Sequence, residues 1–328
     1  MIDFRYHLAS LMAVLIALTV GVVLGAGPLQ GKLTESLDSQ ITHLSKRQTD
    51  LNTENEFLKT ELTSRNNYLS EMADSTLKGR LEGTKIAIVR IYDTQEADVK
   101  DTEAFLEKAG ARKVSDVTLN DNWFNEKKSG LRSQIVEQMR SHFEQSPPAD
   151  ASVEHILMSG LHDMLFASGD KVQNLAGLLT SKTNPLVNVT LAPEEPADAL
   201  VVIFNRRHIT NDGEQRQKPD KPLPSQAVIA IAREAEGWET PAVFVGEAES
   251  QEDEIAVIRN EGIAVSTVDR VGRIMALIST PLALVQEKNK NHIAIGFDSG
   301  STHKMPPIDD SLLPQPTPSP EASEGDNQ

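Results

Sequence analysis

A run of twenty uncharged residues near the start of the chain constrains the fold more than any other feature of the sequence. Residues 8–27 contain no charged side chain, and twenty residues of α-helix measure about 30 Å, the thickness of the hydrocarbon core of a bilayer. The sequence therefore predicts a transmembrane helix. The alternative is a cleaved signal peptide. Pro28 directly follows the best small-residue cleavage site, so we expect the helix to be retained.

The charges around this segment bear on its orientation. Arg5 and the α-amino group precede the segment, and Asp3 partly offsets Arg5. Lys32 lies just beyond its other end. The positive-inside rule therefore gives only weak evidence for one orientation of the helix over the other. The simplest topology is a single-pass protein of the cell membrane, with the N-terminus in the cytoplasm and the bulk of the chain outside it.

The same segment carries small residues at every fourth position, namely Ala9, Ala13, Ala17, Gly21 and Gly25. Such a stripe allows two helices to approach closely within lipid and predicts helix packing in the membrane. Ala and Gly are also common in any membrane helix, so composition alone is the alternative explanation.

Heptad periodicity follows the apolar segment. Eight of the twelve a and d positions between residues 37 and 76 are apolar, which is typical of a coiled coil. Asn at an a position favours parallel two-stranded pairing, whereas Gln48 and Arg65 weaken the seam. The predicted seam consists of Leu37, Ile41, Leu44, Leu51, Asn55, Leu58, Leu62, Leu69 and Met72.

This heptad helix predicts a stalk that pairs two copies of the chain. Glu54 at a g position and Lys59 at an e position would attract each other across a homodimer. A helix over residues 34–77 would be about 65 Å long and would lift the rest of the chain away from the bilayer. The alternative is a single amphipathic helix that folds back on the globular domain.

Strand and helix signals alternate after Gly79 and Gly83, which predicts an α/β domain with a mainly parallel sheet covered on both faces. The predicted organisation is a cytoplasmic start and transmembrane helix over 1–28, a coiled-coil stalk over 29–79, an α/β domain over 80–303 and a disordered acidic, Pro-rich tail over 304–328. The predicted strands are 85–91, 113–119, 199–204, 242–245 and 263–268; the predicted helices are 96–109, 131–143, 153–168, 172–179, 226–236, 252–260 and 273–288.

Charge and composition exclude several classes of function. The formal net charge is −16, from 48 acidic and 32 basic residues, which argues against nucleic-acid binding because that function needs a positive surface. The chain has no cysteine, which excludes disulfides, thiol catalysis and every Cys-based metal site. No phosphate loop, dinucleotide fingerprint, nucleophile elbow or zinc-protease motif is present. We therefore expect no enzymatic activity and no cofactor.

Two patterns remain as candidate sites. His155, Met158 and His162 fall at i, i+3 and i+7 of a predicted helix, and imidazole with thioether suits copper. Met is also a common core residue, and helical histidines usually face solvent or a carbonyl. The second pattern is a basic loop over 205–224 that contains Arg206, Arg207 and His208 and leaves the carboxyl end of a predicted strand, where open α/β sheets bind ligands. A solvated insertion explains it equally well.

The N-terminal residues support a resemblance to a known family. Arg5-Tyr6-His7-Leu8, the run Gly21-Val22-Val23-Leu24-Gly25, the leucine-seamed helix and the strand from Lys85 to Ile91 resemble the actinobacterial family of mycobacterial copper transport protein B, also called MctB or SteB. The resemblance extends to about residue 300. It implies either copper efflux through an outer-membrane pore, or control of septal peptidoglycan hydrolysis in cell division together with the membrane protein SteA.

The physical reading favours the second function. A pore needs a β-barrel or several membrane helices, and the sequence offers one such helix. The eight Met and eight His are scattered apart from the helical trio. A dimeric stalk that ends in a folded domain is typical of a scaffold or regulator, whose partner by resemblance is SteA or a coiled-coil peptidoglycan hydrolase. Copper transport or copper tolerance is the alternative.

Overall fold

The structure is a computed structural model that describes residues 4–206 and 223–308, apart from the side chains of residues 26–34. The chain divides into two compact units, residues 1–68 and residues 69–328. Helix α1 (Phe4–Leu77) contributes most of its length to the first unit and its last turns to the second. The predicted tail is described only as far as residue 308.

The first unit contains the N-terminal apolar helix that the sequence predicts. Within the described part of the chain, one segment is long and apolar enough to cross a membrane: it covers Phe4–Gly25, 22 residues, and none of it is buried. The heptad region continues in the same helix. A coiled coil needs a second helix and the structure holds one chain, so the pairing stays a prediction.

The second unit alternates strands and helices. Its strands are β1 (Lys85–Ile91), β2 (Arg112–Leu119), β3 (Val187–Leu191), β4 (Ala199–Ile203), β5 (Ala242–Val245), β6 (Ser266–Val268) and β7 (Ala294–Ile295). Its helices are α2 (Glu96–Lys108), α3 (Asp121–Phe124), α4 (Ser129–Met139), α5 (Val153–Phe166), α6 (Asp170–Leu179), α7 (Ser225–Glu236), α8 (Glu254–Asn260) and α9 (Ile274–Lys288). Short 3₁₀ turns flank α4 at Glu126–Lys128 and Arg140–His142.

One seven-stranded sheet has the order β3-β2-β1-β4-β5-β6-β7. All neighbouring strands are parallel except β3, which pairs antiparallel with β2 at one edge. Ile88 of β1 is level with Asp116 of β2 on one side and with Val201 of β4 on the other. The mainly parallel sheet is therefore confirmed, with an antiparallel edge strand that the sequence reading missed.

Both faces of the sheet are covered. In β1, Ala87, Val89 and Ile91 join a core with α3 to α8, whereas Ile86 and Ile88 join a second core with α2 and α9. This alternation follows from the period of two in a strand. The prediction of a sheet covered on both faces is confirmed.

The end of α1 belongs to the second core. Ala73 and Leu77 are buried against it, together with Leu81 in the turn that follows the helix. Lys108 of α2 binds Asp74 at 2.7 Å. The compact α/β unit therefore begins at Leu69, within the region that the sequence assigned to the stalk.

A buried ion pair stabilises the far end of the sheet. Arg259 of α8 donates to Asp269 at 2.9 Å, and their side chains are 4% and 0% exposed. The backbone N–H groups of Phe297 and Asp298 also donate to Asp269. Burial lowers the pKa of Arg259, and the hydrogen bond to Asp269 opposes that effect. The pair fastens the segment after β7 to the end of β6.

Gly296 allows the backbone to approach this carboxylate. Its φ is +143°, and a Cβ at this position would collide with the carboxyl group of Asp269. We expect Gly296→Ala to lower the free energy of unfolding by about 3 kcal/mol, because it adds backbone strain and disturbs a buried ion pair. Urea denaturation monitored by tryptophan fluorescence measures the change.

Gly177 provides the matched control. It lies inside α6, and a Cβ there would meet nothing within 4 Å. Gly177→Ala should stabilise the protein by up to about 1 kcal/mol, because alanine has the higher helix propensity. Equal effects of the two substitutions would show that Gly296 is not constrained by its contact with Asp269.

Candidate functional site

The sheet has its topological switch point between β1 and β4. The chain moves from β1 to β2 on one side, and the strands from β4 onward lie on the other side of β1. The carboxyl ends of β1 and β4 are therefore adjacent, and in open α/β sheets ligands bind in the crevice at this place.

Polar side chains join the two strand ends. Thr94 Oγ1 lies 2.7 Å from Asn205 Oδ1, and Asn205 Nδ2 donates to the carbonyl oxygen of Tyr92 at 2.9 Å. Burial raises the pKa of Tyr92, and the nearby carboxylates of Asp121 and Asp93 raise it further. Neutral hydrogen bonds therefore link the segment after β1 to the segment after β4 at the switch point.

Arg206, the first arginine of the predicted binding loop, lies at this switch point. Its Nη2 donates to Gln95 Oε1 at 2.7 Å, and its Nε lies 3.2 Å from Asp98 Oδ2. The Asp98 side chain is 2% exposed and the Arg206 side chain 32% exposed. Gly272, with φ +71°, leaves room for this pair, because a Cβ would collide with Asp98. Arg206 therefore ties the end of β4 to the start of α2.

Arg207 and His208, with the remainder of residues 207–222, lie outside the described residues. The binding role of this loop stays a prediction.

The two histidines of the predicted metal trio line one groove of about 680 Å³ with Glu234 and Trp238. His155 Nδ1 is 2.7 Å from Glu234 Oε2. The ring of His162 packs between those of Phe166 and Trp238, with centroid distances of 5.0 and 4.8 Å. Both histidines thus have contacts within the fold.

Met158 does not join the histidines in that groove. It is 2% exposed, belongs to the main core and borders a neighbouring cavity instead. On α5 the two histidines are in line, and Met158 is turned about 60° from His155, towards the core; the metal role of the three residues stays a prediction. Within residues 4–206 and 223–308, no three His, Asp or Glu side chains come together to hold a metal ion.

The seam positions of α1 are exposed in the single chain. Side chains from Leu37 to Leu62 on the seam are 49% to 64% exposed. Asn55 is exposed between them. The seam members with these exposed fractions are Leu37, Ile41, Leu44, Leu51, Leu58 and Leu62.

The last turns of α1 carry both seam positions and core positions. Ala73 and Leu77 face the core and are buried. Met72 of the seam remains 47% exposed, and Leu69 is partly buried. The α/β unit therefore covers one side of these turns and leaves Met72 accessible to another helix.

The small-residue stripe of the apolar segment is also accessible. Ala13, Ala17, Gly21 and Gly25 are exposed, and a Cβ at either glycine would meet nothing within 4 Å. Their role in helix packing stays a prediction.

Comparison with known proteins decides the family. The profile of the family described as "Copper transport outer membrane protein, MctB" matches residues 1–306, nearly the whole chain. The chain belongs to the MctB family. This confirms the resemblance read from its N-terminal residues.

Curated relatives in the MctB family match a smaller part. The proteins named "Copper transporter MctB" from Mycobacterium tuberculosis and Mycobacterium bovis are each 28% identical to this chain over 123 residues. The match covers 38% of this chain and 39% of each relative. The matched part thus spans about two fifths of the length of these relatives.

Sequence reasoning missed the residues that contact Arg206 at the switch point of this MctB-family chain. Gln95, Asp98 and Gly272 meet Arg206 from α2 and from the loop before α9. Each is unremarkable in its local sequence, and only the order of the strands brings them together. The one available signal was Asn205, which follows the buried run of residues 199–204.

Proposed function

We propose that the chain is a membrane-anchored envelope protein that pairs through its stalk and acts by protein–protein contacts, without enzymatic activity. Residues 4–25 would be the single membrane anchor, with the N-terminus in the cytoplasm and the α/β unit outside the cell membrane. By resemblance, the process served is the control of septal peptidoglycan hydrolysis in cell division, with SteA or a coiled-coil hydrolase as the partner.

The exposed seam is the observation that carries this proposal. A row of large aliphatic side chains at heptad spacing is unfavourable in water, because each buried leucine contributes about 2 kcal/mol through the hydrophobic effect. Pairing with a second copy would bury the row. The partial exposure of Met72, beside the buried Ala73 and Leu77, supports a seam that remains available at the α/β unit.

A paired anchor and stalk suit a scaffold or regulator. Two paired anchors would keep two α/β units together at the membrane, which a freely diffusing binding protein would not require. Wall hydrolysis is local to the septum, so a regulator gains from such placement.

Copper transport or copper tolerance is the second candidate. The description of the family and the names of its relatives favour it. So does the groove that contains both His155 and His162, because imidazole is a good copper ligand. The buried position of Met158 argues against the three-ligand site that would serve this function best.

Complementation of a deletion strain separates the two functions. We expect the full chain to restore normal septation, and residues 69–328 exported without an anchor to fail, because they retain the folded α/β unit but lack the anchor and most of the stalk. Septum spacing by microscopy is the readout. Restoration by the anchorless form would show that the α/β unit acts alone and that the scaffold proposal is wrong.

Growth in copper provides the second readout. Under the scaffold proposal, the double variant His155→Ala, His162→Ala should grow in copper as well as the wild type does. A copper-sensitive deletion strain with normal septa, rescued by the wild type but not by this variant, would establish the copper function instead.

A further inference from the structure

Two aromatic side chains on the stalk lie outside the predicted seam. Phe57 and Tyr68 are 67% and 65% exposed. They are eleven residues apart, which is close to three full turns, so they lie on the same side of α1. In the heptad assignment Phe57 occupies a c position and Tyr68 a g position. Pairing through the a and d positions would leave Phe57 in solvent, because c positions point away from the partner helix.

The same side of the helix is acidic. Between residues 50 and 68, the c and g positions carry three carboxylates and no basic side chain. Arg65, at a d position, binds Glu61 at 2.9 Å. These c and g positions form what we call the acidic aromatic face: Asp50, Glu54, Phe57, Glu61 and Tyr68.

The opposite side of the helix has a different character. Its only charged residues over the same range are Glu56 and Lys59, which pair with each other at 3.0 Å. Its other members, at the b and e positions, are neutral: Asn52, Thr63 and Asn66. A stalk that served only as a spacer would need no such difference between its two sides. Exposed aromatic residues are also uncommon on solvated surfaces and are enriched at protein interfaces.

We propose that the acidic aromatic face binds a basic amphipathic helix of a partner protein. Apolar residues of that helix would pack on Phe57 and Tyr68, as amphipathic helices do in peptide recognition. Lys or Arg residues beside them would face Asp50 and Glu54, which sets the charge of the partner. This inference rests on the proposed scaffold function and identifies the chemistry of its partner.

The test uses the full chain in nanodiscs of neutral lipid, so that a basic peptide is not drawn to the membrane. The probe is a fluorescent helical peptide of about four heptads with Leu on one face and Lys and Arg beside it. A matched peptide carries Glu in place of each basic residue. Fluorescence anisotropy should show at least tenfold tighter binding of the basic peptide. Raising the salt concentration should weaken it, because exposed charges are screened.

Two double variants localise the binding. Phe57→Gln with Tyr68→Gln should weaken binding of the basic peptide at least tenfold, whereas Asn52→Gln with Thr63→Gln, on the opposite side, should leave it unchanged. Equal binding of both peptides, no binding of either at millimolar concentration, or equal loss in both double variants would overturn the proposal.

A parallel cross-link separates this proposal from the paired stalk. The chain has no natural cysteine, so oxidation of a Leu44→Cys variant in the same nanodiscs reports dimerisation alone. An intact cross-link without peptide binding overturns the docking face and leaves the stalk standing. Peptide binding without a cross-link supports the docking face and overturns the stalk.

Discussion

Replacing Leu51, Leu58 and Leu62 with alanine is expected to convert the protein from a dimer into a monomer. These side chains are 56% to 57% exposed in the single chain, so the substitutions should cost little within it. In a paired stalk each would be buried, and a buried leucine-to-alanine change costs about 2–5 kcal/mol. Three such losses in each helix exceed what a short coiled coil with Gln48 and Arg65 in its seam can tolerate.

Sedimentation of the detergent-solubilised protein measures the change in mass. The matched control replaces Thr49, Thr60 and Thr63 on the opposite side of the same turns and should remain dimeric. The α/β unit should keep its thermal transition in both variants, because residues 51–62 lie outside it. A seam variant that stays dimeric would show that pairing occurs elsewhere.

Replacing Arg259 with leucine is expected to lower the free energy of unfolding by about 3–5 kcal/mol, because it leaves the buried carboxylate of Asp269 without its cation. The guanidinium also donates to Thr267 Oγ1 and to the carbonyl oxygens of Ile295 and Ser299. Its loss would therefore release the segment after β7 as well. Urea denaturation at neutral pH measures the effect.

Arg233 offers a control of the same chemical type. Its salt bridge with Glu261 is solvent-exposed, with side chains 54% and 44% accessible, and exposed pairs contribute about 0–1 kcal/mol. Arg233→Leu should therefore change stability by less than about 1 kcal/mol. If Arg259→Leu were equally mild, the Arg259–Asp269 pair would not hold the end of the sheet together.

The central elements of the α/β unit were predictable from local sequence. Strands β1 and β5 have the predicted bounds, because their mainly apolar runs, rich in Ile and Val, are buried on both faces. Gly110, at φ +93°, follows the end of α2 and marks it in the sequence. The interior Pro281 of α9 did not prevent a correct prediction.

The edges of the sheet were missed for a physical reason. Strand β3 exposes four of its five residues and lies between Pro185 and Pro193, so it lacks the apolar run that marked the central strands. Strand β7 has two residues, too few for a signal of its own in the sequence, and is recognised by its parallel pairing with β6. Such strands are specified by what they pair with rather than by their own composition.

The candidate sites show the same division. The helical period predicted that His155 and His162 lie in line on one helix, and in the structure both line one groove. It could not show that α5 is packed closely enough to bury Met158, which depends on tertiary contacts. Arg206 was singled out from its position after a strand, but its partners Gln95 and Asp98 come from another helix start more than a hundred residues away.

Disulfide trapping of the stalk in native membranes tests the central claim most directly. Cysteine at Leu44 would lie on the seam and should form a covalent dimer on mild oxidation, because equivalent d positions face each other in a parallel pair. Cysteine at Thr53, at an f position on the far side of the helix, should cross-link little. Absence of a Leu44→Cys dimer, or equal cross-linking at both positions, would contradict the paired stalk and the function proposed from it.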